Sequence, residues 1–516
     1  MSCPRAVRNQ PCGHAVYCEL CTIRAVQAKS GLKCGVCRCA VQKLVVMPVN
    51  PAGDPVPPLV RRMQTHQSVP EPEGSAYKSV DAYLQAKLGD ATGMVEAAQA
   101  ALARVSEQEE DEVVTGFFPI DAQGHATVPE GTTAVPDYAF DGCASLISVT
   151  LPASLTSIGY GAFSGCRRLA LTSLPDGLTS IGDFTFLHCA SLALTSLPDG
   201  LTSIGDNSFS GCSSFALTRL PDGLTSIGNQ AFHSCASLAL TSLPDGFLSI
   251  GHQAFVGCAS LALTSLPDGL ISIGESAFYE CFSLALTSLP DSLTSIGEAA
   301  FYECSSLALT SLPDGLTSIS EEAFRGCASL ALTSLPDGIT SIDHQAFYEC
   351  SSVALTSLPE GLASIGNEAF RDCASLALTS LPASLTGIGG YAFSGCRRLA
   401  LTSLPDGFVS IGDLAFGGCA SLALTSLPDG ITSIGECAFL YCASLALTSL
   451  PDGVTCIGDR AFEGCTRLAL TSLPDSLTSI GDEAFVGCPS VALTSLPDGA
   501  AFGRMYLAGP NEGSVD

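Results

Sequence analysis

Seven cysteines and one histidine crowd the first 47 residues, and their spacing is that of metal ligands. Cys12-Gly13-His14 is followed by Cys18-Glu19-Leu20-Cys21 and then by Cys34-Gly35-Val36-Cys37. Two cysteines separated by two residues can bite one tetrahedral zinc, and a histidine supplies a nitrogen ligand to the same geometry. A segment this short has little core of its own and needs such a staple. Chance clustering of free thiols does not account for three spacings that agree with one another.

These residues have to be carried by something, and the rest of the chain supplies a carrier of a different kind. Sixteen further cysteines recur every 23 residues from Cys143 to Cys488, across a chain of 516 residues. A fixed period of this length marks a solenoid, which is one domain however many units it stacks. One unit runs from Cys189 through Leu192, Leu194, Leu197, Pro198-Asp199-Gly200, Leu201, Ile204 and Phe209 to Cys212. The alternation of Leu192 and Leu194 predicts a short strand. Pro198-Asp199-Gly200 predicts a turn, since proline presets φ and glycine tolerates positive φ. Phe209 and Cys212, three apart, predict a tight helical or 3-10 corner. The fold class expected is therefore a small zinc-stabilised module followed by a β-rich repeat solenoid of about 16 units of 23 residues. The expected division is a zinc module over residues 1–47, a Pro-rich linker and helical spacer over 48–112, and the solenoid with caps over 113–516. At about 4.8 Å per stacked strand the array would reach roughly 75 Å.

The pattern Cys143-Ala-Ser-Leu146-Ile-Ser-Val149-Thr-Leu151-Pro152, then Leu155, Ile158-Gly159 and Ala162-Phe163, resembles the BspA-like leucine-rich repeat family. That resemblance implies a curved solenoid that binds proteins. The segment from Pro11-Cys12-Gly13-His14 to Cys37 resembles a RING finger. The resemblance implies one zinc held by Cys12, His14, Cys34 and Cys37, and a second held by Cys18, Cys21 and a leading pair that includes Cys3. The other member of that pair is missing, and the expectation is that the chain as given starts inside the module, with Cys39 as a substitute ligand or a degenerate site as alternatives. It also implies ubiquitin-ligase activity without a covalent intermediate: Arg38 would bridge the ubiquitin-conjugating enzyme and ubiquitin, and Ile23 would lie on the docking surface. Gly35 stands where the family commonly has proline. The alternative is a non-catalytic zinc-binding scaffold for protein contact.

Charge narrows the partners. Residues 1–70 carry net +7, residues 71–112 net −7, and residues 113–516 net −28. An acidic array repels phosphates, so nucleic acid is not an expected partner. No run of 18 apolar residues occurs and Met1 leads into Cys3, Pro4 and Arg5, so neither a membrane span nor a signal peptide is expected, and the location expected is intracellular, cytoplasmic or nuclear. Asp176, Asp199, Asp222 and their successors follow the turn proline. They read as solvated turn carboxylates rather than calcium ligands, since calcium needs several oxygens per site.

The positions that vary are the informative ones for a protein substrate. Two places before each cysteine, consecutive units carry Tyr279, Tyr302, Arg325, Tyr348 and Arg371, with Glu280, Glu303 and Glu349 beside them. Tyrosine and arginine combine contact area with polar handles and are enriched in binding hot spots. Stacked units would align the five into a strip, either as a partner-binding surface or by drift at an exposed position.

Overall fold

The structure, a computed structural model, describes residues 118–497 and 500–504, together with three strands near the N-terminus. Those strands are β1 (Ala6–Gln10), β2 (Ala15–Cys18) and β3 (Lys43–Val46). They form an antiparallel sheet in the order β2-β1-β3. The chain divides into two compact units, residues 1–114 and 115–516. Cys18 is the last residue of β2; Cys3, Cys12, His14, Cys21, Ile23, Cys34, Cys37 and Arg38 lie outside the described residues, as does the segment expected to be helical before residue 113.

The larger unit is a right succession of 23-residue rungs. Each rung turns the same apolar set inward: Leu192, Leu194, Leu197, Leu201, Ile204, Phe209 and Cys212 are all buried, and their equivalents one rung on are buried as well. No single rung closes a core; neighbouring rungs supply the missing walls. The phenylalanines form one stacked column from Phe118 to Phe485, with ring centroids 5.1 to 5.8 Å apart. Stacked rings of this spacing add to the burial itself.

The regular strand lies elsewhere than the leucine alternation predicts. In each typical rung it is the Ser-Ile pair, as in β9 (Ser203–Ile204), which pairs in parallel and in register with β8 (Ser180–Ile181) and β10 (Ser226–Ile227). Leu192 and Leu194 do point inward, but the backbone there is joined to the preceding rung through a single bond, Ala193 N–H to Leu171 O at 3.1 Å. A longer strand at that place is confined to the first rungs, where β4 (His125–Thr127) pairs with β6 (Ser148–Thr150). A glycine follows the isoleucine in most rungs. A Cβ on Gly297 would come within 2.5 Å of the Glu275 backbone nitrogen, so glycine eases the close approach of adjacent rungs there, while Asp343 at the same place in its own rung still donates its N–H to Ile319 O at 2.9 Å. Ser320 stands there in the rung after Gly297 and donates its hydroxyl to Ile296 O at 2.7 Å. The sheet is interrupted at that rung, between β13 (Ser295–Ile296) and β14 (Ser318–Ile319).

The expected tight corner is present as two successive turns. Cys212 N–H donates to Phe209 O at 3.1 Å and Phe215 N–H donates to Cys212 O at 3.1 Å. Each ladder thiol reaches back one rung, as Cys212 Sγ does to Phe186 O at 3.1 Å. Burial pushes these thiols up, Cys189 and Cys258 to about 12. They are packing groups that also cap a carbonyl.

Candidate protein-binding surface

Every rung from Tyr138 to Glu483 places the residue five before its ladder cysteine in the left-handed region, and the residue one before the cysteine does the same in rung after rung. The two left-handed residues bend the corner so that the intervening side chain, two before the cysteine, projects sideways onto the surface. In consecutive rungs those projecting side chains are Tyr279, Tyr302, Arg325, Tyr348 and Arg371, and the structure brings all five into one column.

The column is stacked from end to end. The Tyr279 and Tyr302 rings lie 4.3 Å apart and 8° from parallel. The Arg325 guanidinium sits between two rings, 5.2 Å from Tyr302 and 4.6 Å from Tyr348. Arg371 sits 5.4 Å from Tyr348 and 5.3 Å from Tyr391. Each such contact is worth about 0.5–1 kcal/mol at a part-exposed site. Glu322 accepts from Arg325 at 2.7 Å and Glu368 from Arg371 at 3.0 Å, both three residues earlier in the same rung; Gln345 also accepts from Arg325. Burial, followed by the neighbouring Tyr302, pushes Tyr279 up to about 12. The result is a pre-ordered strip of rings and neutralised guanidinia whose side chains stay half-buried. A partner meeting it immobilises little that is not already fixed.

Sequence reading found five members of the column and missed its end, Tyr391, which occupies the other left-handed place, five before Cys396. It also missed the glutamates that hold the arginines, although Glu322/Arg325 and Glu368/Arg371 share a three-residue spacing that could have disclosed them. Glu280, Glu303 and Glu349 do flank the strip, with φ of 57°, 57° and 59° where Gly257, Gly326 and Gly395 stand in other rungs.

The turn aspartates, as expected, lie exposed, and Arg219 pairs with Asp199 at 3.4 Å between solvent-facing side chains. Among the described residues no group of three or more His, Cys, Asp or Glu is placed to hold a metal ion, and no helix is long and apolar enough to cross a membrane.

Comparison with known proteins agrees with the repeat geometry. The model of the BspA type leucine-rich repeat region matches residues 123–239, 179–304, 225–354, 271–400 and 363–492. A leucine-rich repeat protein from Bacteroides ovatus is 26% identical, over 76% of this chain and 99% of that one, with a TM-score of 0.40. A leucine-rich cell surface protein from Faecalibacterium prausnitzii is 26% identical, over 75% of this chain and 95% of that one, with a TM-score of 0.39. No curated protein matches. A 23-residue rung closed by a shared Leu, Ile, Phe and Cys core, matched over most of its length by one repeat model, makes this chain a member of the BspA type leucine-rich repeat family.

Proposed function

We propose that the protein is a binding scaffold that docks a protein partner along the Tyr279–Tyr391 column. The observation that carries this reading is the unbroken stack of rings and guanidinia over six rungs, on a surface where neighbouring rungs present Val256 and Ser394 at the same place. Removing Tyr302 and Arg325 together (Tyr302→Ala with Arg325→Ala) takes out the centre of the stack without touching the buried column. Quantitative mass spectrometry of proteins captured by wild type and by this variant should show loss of specific partners; equal capture by a variant that melts like wild type refutes the strip.

The finer reading is that the scaffold serves a RING-type ubiquitin ligase, in the cytoplasm or nucleus, with the strip selecting the substrate and the N-terminal module recruiting a ubiquitin-conjugating enzyme. The ligand spacing supports it: Cys12, His14, Cys34 and Cys37 suit one zinc, and Cys18, Cys21 and Cys3 part of a second. Zinc there would supply the folding energy of the module. All five lysines, from Lys29 to Lys87, precede the array, so the solenoid would hold a substrate without offering an acceptor amine. Zinc content measured on the intact protein, and autoubiquitination lost on Arg38→Ala, are the expected results. A chain with neither zinc nor transfer activity is a scaffold alone.

A further inference from the structure

One rung, that of Ile388, lacks the regular strand of its neighbours. In half of the rungs the residue two places after the isoleucine is an aspartate or asparagine that accepts the equivalent backbone N–H of the next rung: Asp183 from Asp206 at 2.8 Å, Asp206 from Asn229 at 2.7 Å, Asn367 from Gly390 at 2.9 Å, Asp413 from Glu436 at 2.8 Å. Gly390 has no side chain at that place, where other rungs lacking the acceptor carry a larger residue such as His252, Glu275 or Glu436. The same rung carries Gly387 where its neighbours have serine, nothing lies within 4 Å of a Cβ built there, and the regular strand is missing. Only an isolated bridge, Ile365 to Ile388, spans the gap between β16 (Ser364–Ile365) and β17 (Ser410–Ile411).

Gly390 lines a groove of about 710 Å³ whose walls include Glu368, Tyr391, Asp413 and Glu436. Tyr391 is also the last ring of the column, so the groove continues the strip described above. Its carboxylates are not alike. Glu368 is committed to Arg371 at 3.0 Å. Asp413 and Glu436 have no cationic partner among the described residues. Asp413 already accepts the Glu436 N–H through Oδ1, and Arg371 lies 5.3 Å from the Tyr391 ring, but neither of these two carboxylates is charge-paired among the described residues, and a guanidinium can bond a carboxylate and lie against a ring.

We propose that the groove at Gly390 seats an arginine side chain from a basic segment of the protein partner, anchoring the end of the interface whose length runs along the column. The proposal rests on the strip reading and adds the chemistry of the partner. Charge complementarity favours it, since the solenoid carries net −28. That same net charge would hold any basic peptide loosely, and the test has to separate a seat from a diffuse field.

Gly390→Asn makes the separation. The glycine does not adopt positive φ, and a Cβ there would meet nothing closer than Asp413 O at 3.4 Å, so the asparagine fits. It places an amide at the Gly390 end of the groove, supplies an acceptor for the next rung and leaves the net charge unchanged. The assay is fluorescence anisotropy of a labelled peptide of Gly-Ser-Arg repeats on the full chain at physiological salt. We expect Gly390→Asn to weaken binding by at least about tenfold, as losing charge-assisted bonds does, with no fall in melting temperature. Asp413→Asn with Glu436→Gln should weaken it to a similar degree. Asp222→Asn with Asp245→Asn removes the same two charges from the exposed turn column and should change binding by less than about twofold under screening. Wild-type affinity in Gly390→Asn, equal loss in the turn variant, or no binding to wild type overturns the proposal. Retained cellular partners in Gly390→Asn but not in Tyr302→Ala with Arg325→Ala would leave the strip standing and remove the groove; the converse would do the reverse.

Discussion

Glu303 holds a left-handed backbone conformation, φ 57°, at a place where Gly326 stands one rung later. For an L-residue that conformation costs roughly 1–2 kcal/mol, and a glycine gives back about 0.5–1 kcal/mol of that in chain entropy. Glu303→Gly should therefore stabilise the array by about 0.5–1 kcal/mol. Glu303 also occupies the same place as Glu280 one rung earlier, so removing its charge could stabilise by itself. Glu303→Ala distinguishes the two, because alanine removes the carboxylate and keeps the strained φ. Urea titration followed by circular dichroism reads both variants, on the intact chain and at two salt concentrations. Backbone relief predicts a higher midpoint for glycine and little gain for alanine, independent of salt. Equal gains for the two variants, shrinking with salt, would refute the backbone argument and assign the effect to repulsion; a lower midpoint for glycine would refute both.

Four other perturbations have expected outcomes. Buried thiols such as Cys189 and Cys258, pushed up to about 12 from an ordinary value near 9, keep their protons in the folded state when the unfolded chain has lost them; stability is full below about pH 9 and falls as pH rises toward 12, and urea midpoints that stay level over that window contradict the buried ladder. Ser208 Oγ is buried with no partner, in a place held by alanine in other rungs, so Ser208→Ala should raise stability by about 1 kcal/mol in the same titration. Gly297→Ala drives a Cβ against the Glu275 backbone and should cost about 1–3 kcal/mol, with loss of amide protection at Ile296. The exposed turn aspartates repel along the array, so the melting temperature should rise with added salt, and a salt-independent melt would show that they are too far apart to interact.

The period, the buried Cys and Phe ladders and the Pro-Asp-Gly turns were legible because each rests on local chemistry repeated many times. The strand was misplaced because the alternation of Leu192 and Leu194 reports which way side chains point, whereas pairing between rungs depends on how closely backbones approach. Five members of the surface column could be read from the period alone. Tyr391 could not, since it comes from a different place in its rung and joins the stack only through the bend that two left-handed residues impose. The groove was invisible for a related reason: Gly387 and Gly390 look like ordinary loop glycines until the missing strand is seen in their rung. The ligand spacing around Cys12 to Cys37 speaks to metal chemistry on its own and lies outside the described residues.

The Phe column has a consequence for how the chain finds its structure. Because ring spacing and Ser-Ile pairing are nearly the same at most rungs, a rung docked on the copy two periods away would satisfy most of the contacts of the correct one. Chain entropy separates the two choices only weakly, since doubling a loop adds about 0.6 kcal/mol to its closure. Correct order then depends on beginning at a rung that has no double, and the longer pairing of His125–Thr127 with Ser148–Thr150 is such a rung. It is made early in synthesis, and each later rung can be added to the one just completed before its look-alikes have left the ribosome.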